Sequence, residues 1–376
     1  MKFTKTFLSK QWQRLLKTSI VALLMVTLSV GLSGAWWNLG GEEPSYRESR
    51  LPQGNAITDP KAILRYALPI ENNTIRKLQQ SIENIADELR GKRWKPITRD
   101  VKEASRYLGS SDKILASIPV EYQSQAESLI THIKDEVSQL REAVDAQDKE
   151  VVWTLRREIL AKITDLEEFM VAEFPFEVPD EYANLPQLKG RATVEMKTNK
   201  GDLTLVVDGY NAPVTAGNFV DLVEKGFYDG LPFIRAEDNY ILQTGDPAGA
   251  EEGYIDPETG EYRAIPLEIK IRSELEPIYG ATLEEIGLYR EETALPFSAY
   301  GALGMARPGD DPDGGSSQFF FFLFVPELTP AGLNLLDGRY TVFGYTVEGK
   351  EVLRQLRAGD EIISAQVVDG LDNLTQ

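Results

Sequence analysis

Arg235 is the residue around which chemistry could be organised. It stands between Phe233 and Tyr240 in the stretch 230–247, which opens and closes in turn residues and has a β-prone centre at 240–243. An arginine beside aromatics can be a surface ion-pair residue. It can also be a guanidinium fork held in an apolar groove, placed to meet a carbonyl or an amide nitrogen. The rest of the inventory narrows the chemistry. The chain has no cysteine, so disulfides and thiolate metal ligands are excluded. Its single histidine, His132, lies in a charged helical run and reads as a solvated or packed helix residue. Ser-His-Asp catalysis and histidine-rich metal sites are therefore not expected, and neither a metal nor a cofactor is predicted. A net charge of −19 over 376 residues argues against nucleic acid, because phosphate contacts need a basic face. With 42% hydrophobic and 26% charged residues, the composition is that of an ordinary globular protein large enough for two domains.

The elements that would position the arginine can be read along the chain. Residues 1–35 hold no acid; Lys2, Lys5, Lys10, Arg14 and Lys17 precede an apolar run at 20–35 that ends in Ser33-Gly34-Ala35. This predicts a cleavable export signal, with an uncleaved membrane anchor as the alternative. Residues 36–58, which contain Pro44, Pro52 and Gly54, read as a tether. A helical bundle is predicted over 59–173. Asp59 and Pro60 supply an N-cap and a first helical residue, and Asn73 is expected to cap a helix carrying Ile75, Leu78, Ile82, Ile85 and Leu89. A shorter helix is expected over 99–108. Two long stripes follow, Ala126 to Val144 and Val152 to Met170, with a turn at 146–148. They predict an antiparallel hairpin inside the bundle rather than a zipper for a partner helix, since other helices stand beside it. Residues 174–190, with Pro175, Pro179 and Pro186, read as a semi-rigid linker. Beyond it the period changes to two, and 192–198 and 203–207 predict a β-hairpin.

A set of ordered motifs follows that hairpin. It comprises Thr215, Ala216, Asn218 and Phe219; Gly226, Tyr228, Asp229 and Gly230; Phe233, Arg235, Gln243, Gly245 and Asp246; Leu303 to Arg307; Gly315 to Phe320; Leu336-Asp337-Gly338; and Val342-Phe343-Gly344. Over 191–370 the chain resembles the cyclophilins, the prolyl isomerase family, leaving 371–376 as a tail. The resemblance implies a closed eight-stranded antiparallel β-barrel with capping helices. The whole chain is thus predicted to be multidomain α + β, a helical bundle followed by that barrel. Rotation about an X-Pro bond faces a barrier of about 20 kcal/mol because amide resonance is lost on the way. A guanidinium donating to the prolyl nitrogen of the twisted bond favours the transition state over the planar ground state. Arg235 matches the family's catalytic arginine, and Gln243 the glutamine that holds the substrate carbonyl and the arginine. Phe320 and Tyr240 match aromatic walls of the proline pocket, Ile241 and Leu336 its aliphatic sides, and Gln318 a contact further along the groove. Phe233, Ala306, Arg307, Leu335 and Tyr340 complete the expected substrate-binding set. Alternation predicts that in the run 319–324 every second residue faces the core and its neighbours face outward.

Several positions depart from the family pattern. Tyr340 and Ile234 stand where histidines are usual, Leu335 where tryptophan is, and Arg307 where asparagine is; Tyr240 and Ile241 replace phenylalanine and methionine. The first four changes remove polar groups available to a substrate. Residues 247–304 hold insertions, including the segments 251–261 and 272–296, and Asp310 to Gly314 reads as a turn rather than a calcium loop. The combination is similar to the multidomain cyclophilins of the thylakoid lumen in cyanobacteria and chloroplasts. That likeness implies export to the lumen, with a periplasm as the alternative. It also implies proline-containing client polypeptides, photosystem II subunits among them, and docking of the helical domain on the groove. A binding and assembly factor with weak or no turnover is expected; the alternative is an active isomerase.

Overall fold

The computed structural model describes residues 57–375 apart from 172, 251 and 325–333. The expected export signal and all but the last two tether residues lie outside the described residues. Helix α1 (Pro60–Ala67) starts as expected: Asp59 Oδ1 accepts from the Lys61 N–H at 3.1 Å, and Pro60 occupies the first turn, where no N–H is needed. Helix α2 (Asn73–Arg90) is capped by Asn72, one residue before the expected Asn73, and Asn72 Oδ1 accepts from the Thr74 and Ile75 N–H groups. Helix α3 (Trp94–Leu108) begins five residues earlier than the sequence suggests, and Pro96 is tolerated in its first turn. A short α4 (Ser111–Leu115) leads to the long pair α5 (Gln123–Asp145) and α6 (Lys149–Glu168). Gln147 turns the chain at φ 55°, and Asp148 caps α6 through the Glu150 and Val151 N–H groups. Both apolar stripes are buried in one cluster with Ile75, Leu78, Ile82, Ile97 and Val101, so they form bundle core. No helix among the described residues is long and apolar enough to cross a membrane.

Helix α1 packs elsewhere. Ile63, Leu64 and Ala67 join a cluster with Phe297, Phe320, Phe322, Val342 and Tyr345 on the outer face of the β-sheet. The sheet is built from β2 (Arg191–Thr198), β3 (Gly201–Asp208), β4 (Arg235–Glu237), β5 (Ile241–Thr244), β8 (Ala302–Met305), β9 (Phe319–Phe322), β10 (Val342–Glu348) and β11 (Ile362–Asp369). Its order is β11-β2-β3-β10-β8-β9-β5-β4, antiparallel throughout. The eight-stranded sheet is as predicted, but it is a curled half-barrel and not a closed ladder. Edge strands β4 and β11 do not pair along their length. The chain ahead of β4 bridges instead to the start of β11, through Pro232 opposite Glu361 and short bonds such as Gly230 N–H to Ile362 O at 2.7 Å. Pro232 has no N–H to extend a ladder there.

The interior holds Phe219, Phe319, Phe321 and Phe343 in mutual edge or tilted contact, and helix α7 (Pro213–Glu224) contributes Phe219, Val220 and Val223. The end of the expected linker is tied down. There β1 (Gln187–Leu188) pairs with β12 (Leu374–Thr375) and lies so close to α7 that a Cβ on Gly217 would be 2.4 Å from Pro186 O. The insertions fold against the barrel, where β6 (Glu268–Ile269) and β7 (Ile278–Tyr279) form a small ribbon. Glu268 accepts from the Val214 and Thr215 N–H groups at the start of α7.

Candidate functional site

Three adjacent strands place the expected catalytic pair in one row. In the β4–β5 hairpin Arg235 lies opposite Gln243, and in the β5–β9 pair Gln243 lies opposite Phe320. The row continues to Gly304 on β8, opposite Phe320. A Cβ on Gly304 would sit 2.4 Å from Phe320 Cζ, so the glycine makes room for the ring. The hairpin is tight because Asn239 takes the left-handed conformation at φ 58° and Tyr240 N–H returns to Glu237 O.

Strand β9 alternates as the sequence predicts. Phe319 and Phe321 join the interior, whereas Phe320 and Phe322 join the outer cluster. Phe320 is only 4% exposed. It stacks on Phe297 with centroids 5.8 Å apart and meets Tyr340 edge-on at 5.7 Å. Ile241 is buried in the same cluster, with Ala306, Leu336 and Tyr340 packed around it. Tyr240 stands more open, edge-on to Phe322. The Arg307 guanidinium lies over the Tyr340 ring at 5.2 Å and donates to Arg339 O, so its charge is directed along the groove wall. The amides form a relay: Gln243 Nε2 donates to Gln318 Oε1 at 2.7 Å, and Gln318 Nε2 donates to Asp246 Oδ1 and Glu252 O.

Two expected contacts fall elsewhere. Phe233 does not face the groove; it is 1% exposed in the interior cluster against Phe321, because the chain ahead of β4 is pinned to the start of β11. Leu335 is 84% exposed, whereas its neighbour Leu336 packs inward.

Three contributors were given no site role in the sequence reading, although Asp337 stands in one of its motifs. Glu237 lies two residues beyond Arg235 on the same face of β4, and its Oε1 accepts from Arg235 Nε at 2.7 Å and from Nη2. Strand alternation around Arg235 would have found it. Phe297, the partner of Phe320, comes from the end of the insertion, and no local period marks it. Asp337 holds it there, accepting from the Phe297 N–H at 2.7 Å and the Asn334 N–H at 3.1 Å. Burial pushes the Asp337 carboxyl up to about 6 against those two bonds.

In chemical terms the groove offers a guanidinium, an amide relay and an apolar ring pocket. Among the described residues it has no nucleophile with a base beside it and no group suited to a metal ion. Donors and a ring pocket of this kind are suited to holding a proline and its amide.

Comparison with known proteins places both halves of the chain in known families. Residues 59–171 match the family model for the PsbQ-like domain of CYP38-like peptidyl-prolyl cis-trans isomerases. Residues 193–370 match the model for cyclophilin-type peptidyl-prolyl cis-trans isomerases. A protein named as a candidate thylakoid lumen peptidyl-prolyl cis-trans isomerase from Synechocystis sp. is 56% identical, over 100% of this chain and 99% of that one. The chloroplastic peptidyl-prolyl cis-trans isomerase CYP38 of Arabidopsis thaliana is 45% identical, over 87% of this chain and 77% of its own. The chloroplastic CYP37 of the same plant is 34% identical, over 83% and 70%.

Proposed function

Because the chain belongs to the cyclophilin-type peptidyl-prolyl cis-trans isomerases and carries a CYP38-like helical domain, we propose that it binds proline-containing segments of client proteins in the thylakoid lumen and turns them over slowly. One observation carries this reading: the guanidinium meant for the prolyl nitrogen is bonded to Glu237. Substrate can reach Arg235, which is half-exposed, but catalysis requires the guanidinium to leave a carboxylate that competes for the same donors. Arg235 and Gln243 act at the twisting bond; Tyr240, Ile241, Phe320 and Leu336 hold the proline ring; Gln318, Ala306, Arg307 and Tyr340 line the approach. The PsbQ-like helical domain favours photosystem II subunits as clients. Contacts of Ile63 and Leu64 with the cluster around Phe320 support a helical domain that limits access to the groove.

The test is the cis-to-trans rate of a proline test peptide, with binding of the same peptide measured in parallel. Arg235→Ala is expected to abolish whatever acceleration the unmodified chain gives and to leave affinity within about threefold. Fast turnover by the unmodified chain, at the rate of a compact cyclophilin, would favour the active-isomerase alternative. Loss of binding and turnover together would show that Arg235 is a binding residue rather than a group acting at the twisted bond.

A further inference from the structure

Two departures from the family pattern meet beside the proline pocket. Arg307 and Tyr340 stand where asparagine and histidine are usual, and the Arg307 guanidinium lies over the Tyr340 ring at 5.2 Å. Tyr340 in turn meets Phe320 edge-on at 5.7 Å, so the cation sits one ring beyond the side chain that holds the proline. We propose that Arg307 makes the groove selective for clients that carry an acidic side chain within two residues of the proline. This inference rests on the proline-binding reading above and names which clients that groove prefers.

The guanidinium is fixed in place but not neutralised. Of its five N–H groups, four are bonded, all to main-chain carbonyls. Nε at 3.3 Å and Nη2 at 2.9 Å donate to Arg339 O, while Nη1 donates to Pro308 O at 2.9 Å and to Asp311 O at 3.4 Å. One Nη2 hydrogen is left for a ligand. Carbonyl oxygens orient a guanidinium without cancelling its charge, and among the described residues no carboxylate stands within ion-pair distance of it. The acids around it are engaged elsewhere: Glu284 pairs with Arg339 at 2.6 Å, Glu285 accepts from the Thr282 N–H and hydroxyl, and Asp311 Oδ1 accepts from the Asp313 N–H. The Glu285 carboxyl is held below its usual range chiefly by the Thr282 N–H, with Arg307 the smallest of the causes. Half-buried and stacked on a ring, the Arg307 side chain loses little further freedom when a carboxylate replaces water at its open edge. A chain of net charge −19 repels acidic peptides at long range, so accepting one depends on a local cation of this kind. Residues next to the proline come within its reach, because an extended chain advances about 3.3 Å per residue.

The experiment measures binding of dye-labelled peptides to the full chain by fluorescence anisotropy. Each peptide has a central proline in an alanine background, with a single Glu, Gln or Lys one or two residues before or after it. At one or more of these positions Glu is expected to bind about fivefold more tightly than Gln, and Lys more weakly than Gln. The Glu advantage should shrink as salt is raised, and Arg307→Gln should erase it. Equal binding of Glu and Gln peptides at every position, or a Glu preference that survives in Arg307→Gln, would overturn the proposal while leaving proline binding intact. A control peptide with alanine in place of proline separates the two readings. If it binds as well as the proline peptides, the proline-binding reading fails and this proposal with it. The preference is a ratio read within one protein, so the comparison on the unmodified chain stands even if the variant folds poorly.

Discussion

Arginine meets carboxylate at two places in this molecule, and the two pairings behave as different materials. At the seam between the helical bundle and the sheet, Arg191 bonds Asp208 at 2.8 Å, Glu168 at 3.1 Å and the carbonyl of Leu64, and its side chain is 9% exposed. Burial disfavours its charge, but Asp208 and Glu168 outweigh burial and raise its pKa. Next to it Arg65 and Glu83 pair on the bundle side, and Arg76 reaches the fully buried Glu167. In the groove, Arg235 and Glu237 form a pair that is half in water. A buried pair is held by the penalty for separating it, whereas a half-exposed pair contributes at most about 1 kcal/mol and exchanges partners readily. The seam therefore fixes where the domains sit, and the groove keeps an arginine that can change partners.

The largest effect is expected at the seam. Arg191→Leu strands Asp208, which is fully buried, and should lower stability by about 3–5 kcal/mol, read as a fall in the urea midpoint. A loss below about 1 kcal/mol would put the seam in the same class as the groove pair.

Next comes a pH effect. Burial pushes the Glu167 carboxyl up to about 7, with Arg76 pulling it down. The folded state then holds the proton more tightly than the unfolded chain does, where the value is the ordinary 4.5. The corresponding stability is fully present below about 4.5 and is lost as pH rises through 7, a change on the order of 3 kcal/mol. Unfolding curves at pH 5.5 and 8 should differ in that direction, and Glu167→Gln should shrink the difference; an unchanged difference would assign it to Glu268 or Asp337, whose carboxyls burial also raises.

Glu237→Gln in the groove should change stability by less than about 1 kcal/mol but raise prolyl turnover several-fold by freeing the guanidinium, with little change in KM. Equal rates would mean that Glu237 leaves Arg235 unhindered. Smallest of all, Leu335→Ala should alter neither stability beyond about 0.5 kcal/mol nor peptide affinity, because its side chain stands in water.

The helical half was legible because a 3.6 period survives in the residue order: every member of the stripe from Ile130 to Val144 that the spacing marked is buried. The adjacent Asn72 and Asn73 are chemically equivalent caps, so the boundary slipped by one. In the β half, the Arg235–Gln243–Phe320 row was legible through motifs, and the alternation of 319–322 through period two. What escaped depends on tertiary placement. Phe297 reaches Phe320 from an insertion, Phe233 turns inward because the chain ahead of β4 is pinned to β11, and the predicted barrel stays half open because β4 and β11 meet through that segment rather than edge to edge.

The pairing of β1 with β12 has a consequence in time. Residues 187–188 and 374–375 clasp the two ends of the β-domain over α7, so their contact spans nearly its whole length. Joining points so far apart in the chain is slow, and the clasp cannot form until residue 375 is available. The helical bundle, built from neighbours in sequence, can fold while the rest of the chain is still being made. The β-domain therefore closes its last ladder, against α7, only after the bundle has had time to form.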